Sequence, residues 1–286
     1  MLNLRQLFLT LALFVSASFT VSANSGGPVL QKKWETEAVL KTPESVIFDE
    51  RRNVLYVANI NGDGSAHDGN GFITKLGTDG KIIDLEWVKG LDAPKGMGIV
   101  GNKLYVSDID KVVVIDIPSG KVEQSLTIDG AVFLNDITTD ASGNVYISDS
   151  SGKKIFVLKE SKVSLWLDDN TFEKPNGLLA LKDGLRVIDM KGGKFYNVSY
   201  DKKDAVVIAE NIPSGDGIVE VSKGTYLISN WNGEVNYIKG NTVSKLLDTK
   251  EAKINAADIW YIPQHKLVLV PTFFDNKLVA YTFSEE

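Results

Sequence analysis

Short runs in which apolar and polar residues alternate, separated by polar turns, recur along the chain and read as strands throughout. The clearest copy opens with Leu134-Asn135-Asp136-Ile137, turns at Asp140-Ala141-Ser142-Gly143-Asn144, and continues as Val145-Tyr146-Ile147-Ser148-Asp149. Runs of this length bounded by Asp, Asn, Ser and Gly predict β-strands joined by tight turns. The phrase returns as Pro175-Asn176-Gly177-Leu178 before Leu185-Arg186-Val187-Ile188-Asp189, and as Gly215-Asp216-Gly217-Ile218 before Tyr226-Leu227-Ile228-Ser229-Asn230. Lys95-Gly96-Met97 precedes Leu104-Tyr105-Val106-Ser107-Asp108. The first copy runs from Glu44-Ser45-Val46 to Val54-Leu55-Tyr56-Val57, and the last from Ala257-Asp258-Ile259 to Leu267-Val268-Leu269-Val270.

The opening residues set a register. Lys95 to Asn135 is 40 positions, Asn135 to Asn176 is 41, Asn176 to Asp216 is 40, and Asp216 to Ala257 is 41. Glu44 to Lys95 is 51, and the excess is about the length of a Gly-rich insertion from Asn61 to Gly71. Units of this length, each needing neighbours to bury its two faces, predict an all-β, six-bladed β-propeller. The sixth copy supplies only three strands, near 258–262, 266–270 and 277–283. The alternating segment Trp34–Leu40 has no other partner, so it is expected to complete the last blade, closing the ring and removing its open sheet edges.

Composition narrows the setting. Arg5, the apolar stretch Leu7–Val15 and the small residues Val21-Ser22-Ala23 identify residues 1–23 as a cleaved signal peptide, leaving residues 24–286 as one propeller domain. The expected location is therefore outside the cytoplasm, periplasmic or secreted. No later stretch approaches the length of a membrane helix, so no membrane insertion is expected after cleavage. The chain has no Cys, which excludes disulfides, thiol chemistry and Cys-based metal centres. A formal charge of -6 without a Lys/Arg-rich run argues against nucleic acid as a partner.

In a propeller the first strand of each blade lies nearest the axis, so Glu44, Lys95, Asn135, Asn176, Asp216 and Ala257 should converge, with Asp136 and Asp258 one place further on. Taken singly, Asn-Gly and Asp-Gly are ordinary turn dipeptides. Their shared register makes them a constellation. Glu44, Asn135, Asn176 and Asp216 offer oxygen, the ligand set of a hard divalent cation, Ca²⁺ first, with Mn²⁺, Mg²⁺ or Zn²⁺ as alternatives. Without a cation, two confined carboxylates would have only Lys95 as counter-charge.

With Pro43-Glu44, Asn135-Asp136, Pro175-Asn176-Gly177 and Asp216-Gly217 at its blade openings, the chain resembles the senescence marker protein/gluconolactonase family over nearly its whole length after residue 23. The resemblance implies a six-bladed propeller with one catalytic divalent cation on its axis, hydrolysing sugar lactones; related calcium propellers include the paraoxonases and diisopropylfluorophosphatase. It implies Glu44, Asn176 and Asp216 as metal ligands, Asn135 as a fourth ligand or substrate contact, and Asp216 as the base. Phe133 departs from the family, which places an Arg there to hold sugar hydroxyls, and suits a less polar ligand or a core contact.

The expected chemistry is hydrolysis of a small-molecule lactone or ester. Lys95 would assist the developing oxyanion or merely balance charge. A Ser-His-Asp triad has only His67 and His265 to draw on. His67 lies on the 61–71 insertion, expected to overhang the channel mouth and bring His67, Asp63 and Asp68 towards substrate; the rival readings are a small calcium loop or a plain mobile turn. Asp108, Asp110, Asp149, Asp189, Asn230, Trp231, Thr272 and Phe273, at the returns of the second strands, are expected to wall the pocket, mostly in structural roles. Trp231 and Phe273 would stack on a ligand or cover a blade edge. The alternative to an enzyme is a non-catalytic secreted propeller that binds a ligand or protein partner and keeps its cation for structure.

Overall fold

The computed structural model describes residues 26–168 and 170–285. The signal-peptide reading of residues 1–23 lies outside the described residues. The chain opens with strand β1 (Val29–Glu35) and then builds its blades in sequence order. Blade 1 is β2 (Pro43–Asp49), β3 (Val54–Asn59), β4 (Gly71–Gly77) and β5 (Ile82–Leu91), and blade 2 is β6 (Pro94–Val100), β7 (Lys103–Asp108), β8 (Lys111–Asp116) and β9 (Lys121–Thr127). Blade 3 is β10 (Leu134–Thr139), β11 (Val145–Asp149), β12 (Lys154–Lys159) and β13 (Lys162–Leu167), and blade 4 is β14 (Pro175–Leu181), β15 (Gly184–Asp189), β16 (Lys194–Val198) and β17 (Ala205–Glu210). Blade 5 is β18 (Gly215–Ser222), β19 (Thr225–Asn230), β20 (Glu234–Lys239) and β21 (Thr242–Asp248). Blade 6 takes β22 (Trp260–Ile262), β23 (Leu267–Pro271) and β24 (Leu278–Ser284) from the C-terminal end and β1 from the start, in the order β1-β24-β23-β22. All pairings are antiparallel.

Hydrophobicity falls from axis to rim. Every residue of β3, β11, β15 and β19 is buried, whereas β9 at the rim is exposed at all but one position. Second strands are covered on both faces by neighbouring blades, so they read as nearly continuous Val, Ile, Leu and Tyr. Six apolar clusters follow, one for each junction between neighbouring blades. Between blades 1 and 2, for example, Ile47, Tyr56 and Ile73 meet Met97, Val106 and Ile115, with Trp87 stacked on Tyr56 at 4.7 Å.

Ring closure by an N-terminal strand is as the sequence predicts, but the strand lies earlier than Trp34–Leu40. It ends at Glu35, where Thr36 takes over: its N–H donates to the Leu278 carbonyl at 3.0 Å, and its Oγ1 accepts the Leu278 N–H at 3.1 Å. The chain then turns, and Leu40 drops fully buried into the cluster between blades 6 and 1. The apolar character that suggested a strand running on to Leu40 serves the core instead. At the axis the ring also closes directly, because Asp258 forms a parallel bridge to Ser45 and donates its N–H to the Glu44 carbonyl at 2.9 Å.

Candidate functional site

The opening residues of five blades meet in one cavity of about 290 Å³ on the axis, lined by Glu44, Lys95, Asn135, Asn176 and Asp216. What brings them close is the next residue along. In blades 2, 4 and 5 it is Gly96, Gly177 or Gly217, lying inside or at the start of an inner strand and not in a turn. A Cβ at Gly177 would stand 1.9 Å from the Asp216 carbonyl oxygen, one at Gly217 2.2 Å from Asp258 Oδ1, and one at Gly96 2.5 Å from the Asp136 Cα. Their absent side chains allow neighbouring inner strands to approach at the axis.

A second repeated residue fixes the height of each opening. Asp149 ends β11 and accepts the N–H groups of Val132 at 2.9 Å and Phe133 at 2.8 Å; Asp189 does the same for Glu173 and Lys174 at 2.9 and 2.8 Å, and Asp108 for Asp92 and Ala93 at 3.0 and 2.6 Å. These carboxylates clamp the loops that lead to Asn135, Asn176 and Lys95. In blade 5 the loop carries Pro213, which has no N–H, and the clamp is Asn230, whose Nδ2 donates to the Pro213 carbonyl at 2.5 Å. Asp108, Asp149, Asp189 and Asn230 are therefore buried supports, the structural role expected of most of this series, while Trp231 and Phe273 from the same series do line the cavity.

The ring is strongly acidic and largely buried. Glu44, Asp136 and Asp216 are buried on the axis, and Asp258 stands beside them half-buried. Burial, reinforced by Asp136, raises the Asp216 carboxyl to about 7, against the pull of its bond to Asn176 and of Lys174. Burial likewise raises Asp136 to about 7 although the Leu178 and Ile137 N–H groups stabilise its charge. Glu44 and Asp258 are pushed well above the carboxylate range by burial and by the surrounding carboxylates. The neighbouring Asp136 carboxyl is one of the groups that hold Asp258 up. Lys95 is the facing cation; burial lowers its pKa, and Glu44, Asp108 and Asp63 pull it back up. Its ammonium donates to the carbonyls of Gly64 at 2.8 Å and Ala93 at 2.9 Å and lies 4.5 Å from the centre of the Phe133 ring.

Two oxygens in this setting have nothing to bind. Asn176 donates Nδ2 to Asp216 Oδ1 at 2.6 Å, which leaves Asn176 Oδ1 buried without a hydrogen-bond partner; Glu44 Oε2 is in the same condition. Among the described residues no three His, Cys, Asp or Glu side chains gather in a ligating arrangement. The candidate set combines two carboxylates with two carboxamides.

The structure brings together Glu44, Lys95, Phe133, Asn135, Asn176, Asp216 and Trp231, and leaves His67 outside the cavity. The insertion does lean over the site, but through its Gly64 carbonyl. His67 is half exposed, 3.2 Å from Asp92 Oδ2, and serves to tie the loop to blade 2. Sequence reasoning missed Ile60 and Met190, although the repeat contained them. Each follows the residue that ends its blade's second strand, as Trp231 follows Asn230, while Phe273 stands two places beyond the end of β23. Lys174 and Ser214, two places before their blade openings like Phe133, complete the lining.

No family model matches the chain, and no curated protein matches it. Solved structures do: 1254 chains match. One of them, from a crystal structure of a nidogen/laminin complex, aligns over 70% of this chain and 76% of that chain with a TM-score of 0.60 and 18% identity. At that identity the likeness shows the fold alone: this is a six-bladed β-propeller. The narrower resemblance to gluconolactonases rests on the blade-opening residues themselves.

Proposed function

We propose that the protein is a divalent-cation-dependent hydrolase of a lactone or related ester, with its site on the propeller axis. The observation that carries this reading is the pair of buried, unpartnered oxygens, Glu44 Oε2 and Asn176 Oδ1, beside Asp216. A buried acceptor left unsatisfied is costly, and a cation is the partner that an all-oxygen set suits, calcium before manganese, magnesium or zinc. Glu44, Asn176 and Asp216 would hold it, with Asn135 as the fourth donor.

When bound, the cation would supply positive charge beside a carbonyl oxygen and lower the proton affinity of nearby water. The chain supplies the rest. Asp216, oriented by the Asn176 amide, takes the proton of the attacking water. Lys95 has three N–H donors, two of them engaged by Gly64 and Ala93, and so keeps one for the oxygen that gains charge as the carbonyl carbon becomes tetrahedral.

The test is hydrolysis of a panel of sugar lactones, alkyl lactones and aryl esters by the full chain with Ca²⁺, with Mn²⁺ and after EDTA, alongside thermal unfolding. Expected are turnover lost on chelation and restored by one metal, at least a hundredfold loss in Asp216→Asn, and a melting temperature that rises by roughly 5–10 °C at saturating metal. If no substrate is turned over and melting ignores the metal, the reading is wrong. The nidogen/laminin structure comes from a protein complex, so a partner-binding propeller is the rival; it predicts a protein that folds and binds unchanged with Glu44 and Asp216 both replaced by Ala.

A further inference from the structure

The axial cavity has a polar floor and an apolar wall. Glu44, Lys95, Asn135, Asn176 and Asp216 form the floor, while Phe133, Met190, Trp231 and Phe273 stand around it. Trp231 meets Phe273 edge to face at 5.4 Å and Phe274 at 5.9 Å, and the two phenylalanines meet at 4.8 Å. Phe274 is 64% exposed, so the apolar strip continues from the cavity to the surface. A short 3₁₀ turn, Phe273–Asp275, presents both rings, and it holds Phe273 at φ +50°, a conformation bulky residues seldom adopt. Trp231 is tied in place by its backbone: its N–H donates to the Ser214 carbonyl at 2.9 Å, and its carbonyl accepts Asn255 Nδ2 at 2.8 Å.

We infer that the ligand of this site is a carbonyl compound with an alkyl or aryl body, not a polyhydroxylated one; as a statement about substrate, this rests on the hydrolase reading above. The head group belongs on the floor and the body against Trp231, Phe273 and Phe133. Hydroxyls placed along this wall would find few partners. Its polar groups are the Lys174 ammonium, the Trp231 indole N–H and the Ser214 hydroxyl, which already accepts Asn232 Nδ2 at 3.0 Å; Phe133, Met190 and Phe273 offer only aromatic faces and a thioether. Each hydroxyl buried without a partner lowers affinity roughly ten- to a hundredfold. A cavity of about 290 Å³ has the volume of roughly ten waters, enough for a small ring with a short tail.

The experiment is calorimetric titration of the full chain, in calcium, with lactams as non-hydrolysable lactone analogues: a six-membered series carrying tails from methyl to hexyl, and a polyhydroxylated lactam of the same ring size. Turnover of the matching lactones is measured in parallel. Expected is a gain in affinity of about three- to fourfold per methylene until the wall is covered, and at least a hundredfold preference over the polyhydroxylated ring. Trp231→Ala and Phe273→Ala should flatten that slope while the methyl compound keeps its affinity. Phe274→Ser, at an exposed position, should flatten it partly. Polyhydroxylated lactam binding as tightly as the alkyl series, a slope indifferent to these variants, or no lactam binding would overturn the inference. A normal slope with no lactone turned over would support the apolar ligand and sink the hydrolase reading; turnover confined to sugar lactones would do the reverse.

Discussion

Gly177 shows how the site depends on a residue that does no chemistry. Its missing Cβ lets β14 lie against β18 so that Asn176 Nδ2 reaches Asp216 Oδ1 at 2.6 Å. Because the obstructing atom for Gly177→Ala is a backbone oxygen at 1.9 Å, no rotamer change relieves the clash. We expect this substitution to cost about 3 kcal/mol and to lower the melting temperature by roughly 6–12 °C in thermal unfolding; a fall under 2 °C would show that the inner strands can part without penalty. The blade-opening residues were legible in the sequence because, apart from the interval lengthened by the 61–71 insertion, they repeat every 40 or 41 positions. The glycines after them were visible too, but their usual meaning is a turn, and only the approach of neighbouring backbones gives them their meaning here. The clamps were half legible. Asp108, Asp149 and Asp189 stood out as a series, yet a carboxylate at a strand end does not reveal whether it faces a ligand or two backbone N–H groups.

The 61–71 insertion was visible as an excess of ten residues, and its glycines suggested a mobile lid, but the loop is tied down. Asn61 Nδ2 donates to the Asn70 carbonyl at 3.0 Å, Ser65 N–H to Asp63 Oδ1 at 2.8 Å, and Gly69 N–H to Asp92 Oδ1 at 3.0 Å. Asp92 is the anchor, since its other oxygen takes the Lys111 ammonium at 2.5 Å and faces His67. Partial burial tends to raise the Asp92 carboxyl, but Lys111, the Gly69 N–H and His67 outweigh it and hold it below the ordinary carboxylate range. A depressed carboxyl contributes stability above its unfolded pKa of about 4 and loses it as pH falls through the lower folded value. Asp92→Asn should therefore destabilise the protein at pH 7 by about 1–2 kcal/mol, and the gap to the parent should narrow below about pH 4. Urea unfolding at pH 7 and pH 3 measures both. Faster amide exchange at Gly64, Ser65 and Gly69 is the local signature; exchange unchanged from the parent would mean that the loop holds itself.

At the scale of the whole molecule the ring stands or falls on β1. Blade 6 is built from the two ends of the described chain, and β1 pairs with β24 from Val29–Ser284 to Glu35–Val279, with one irregularity between Lys32 and Trp34. The need for such a strand was legible because the sixth copy is one strand short. Its position was not, because Leu40 looks like strand and behaves as core. Removing Val29–Glu35 would expose the outer edge of β24 along its length and uncover Tyr281 and Phe283, which pack in the junction between blades 5 and 6. An unpaired apolar edge both weakens its own blade and offers itself to other chains. The internal deletion of residues 29–35 should lower the melting temperature by roughly 10 °C or more and produce concentration-dependent association in light scattering. A deleted chain that melts with the parent and scatters no more would mean that the bridge between Ser45 and Asp258 closes the ring unaided, and that β1 is an ornament on a five-and-three-quarter-bladed fold.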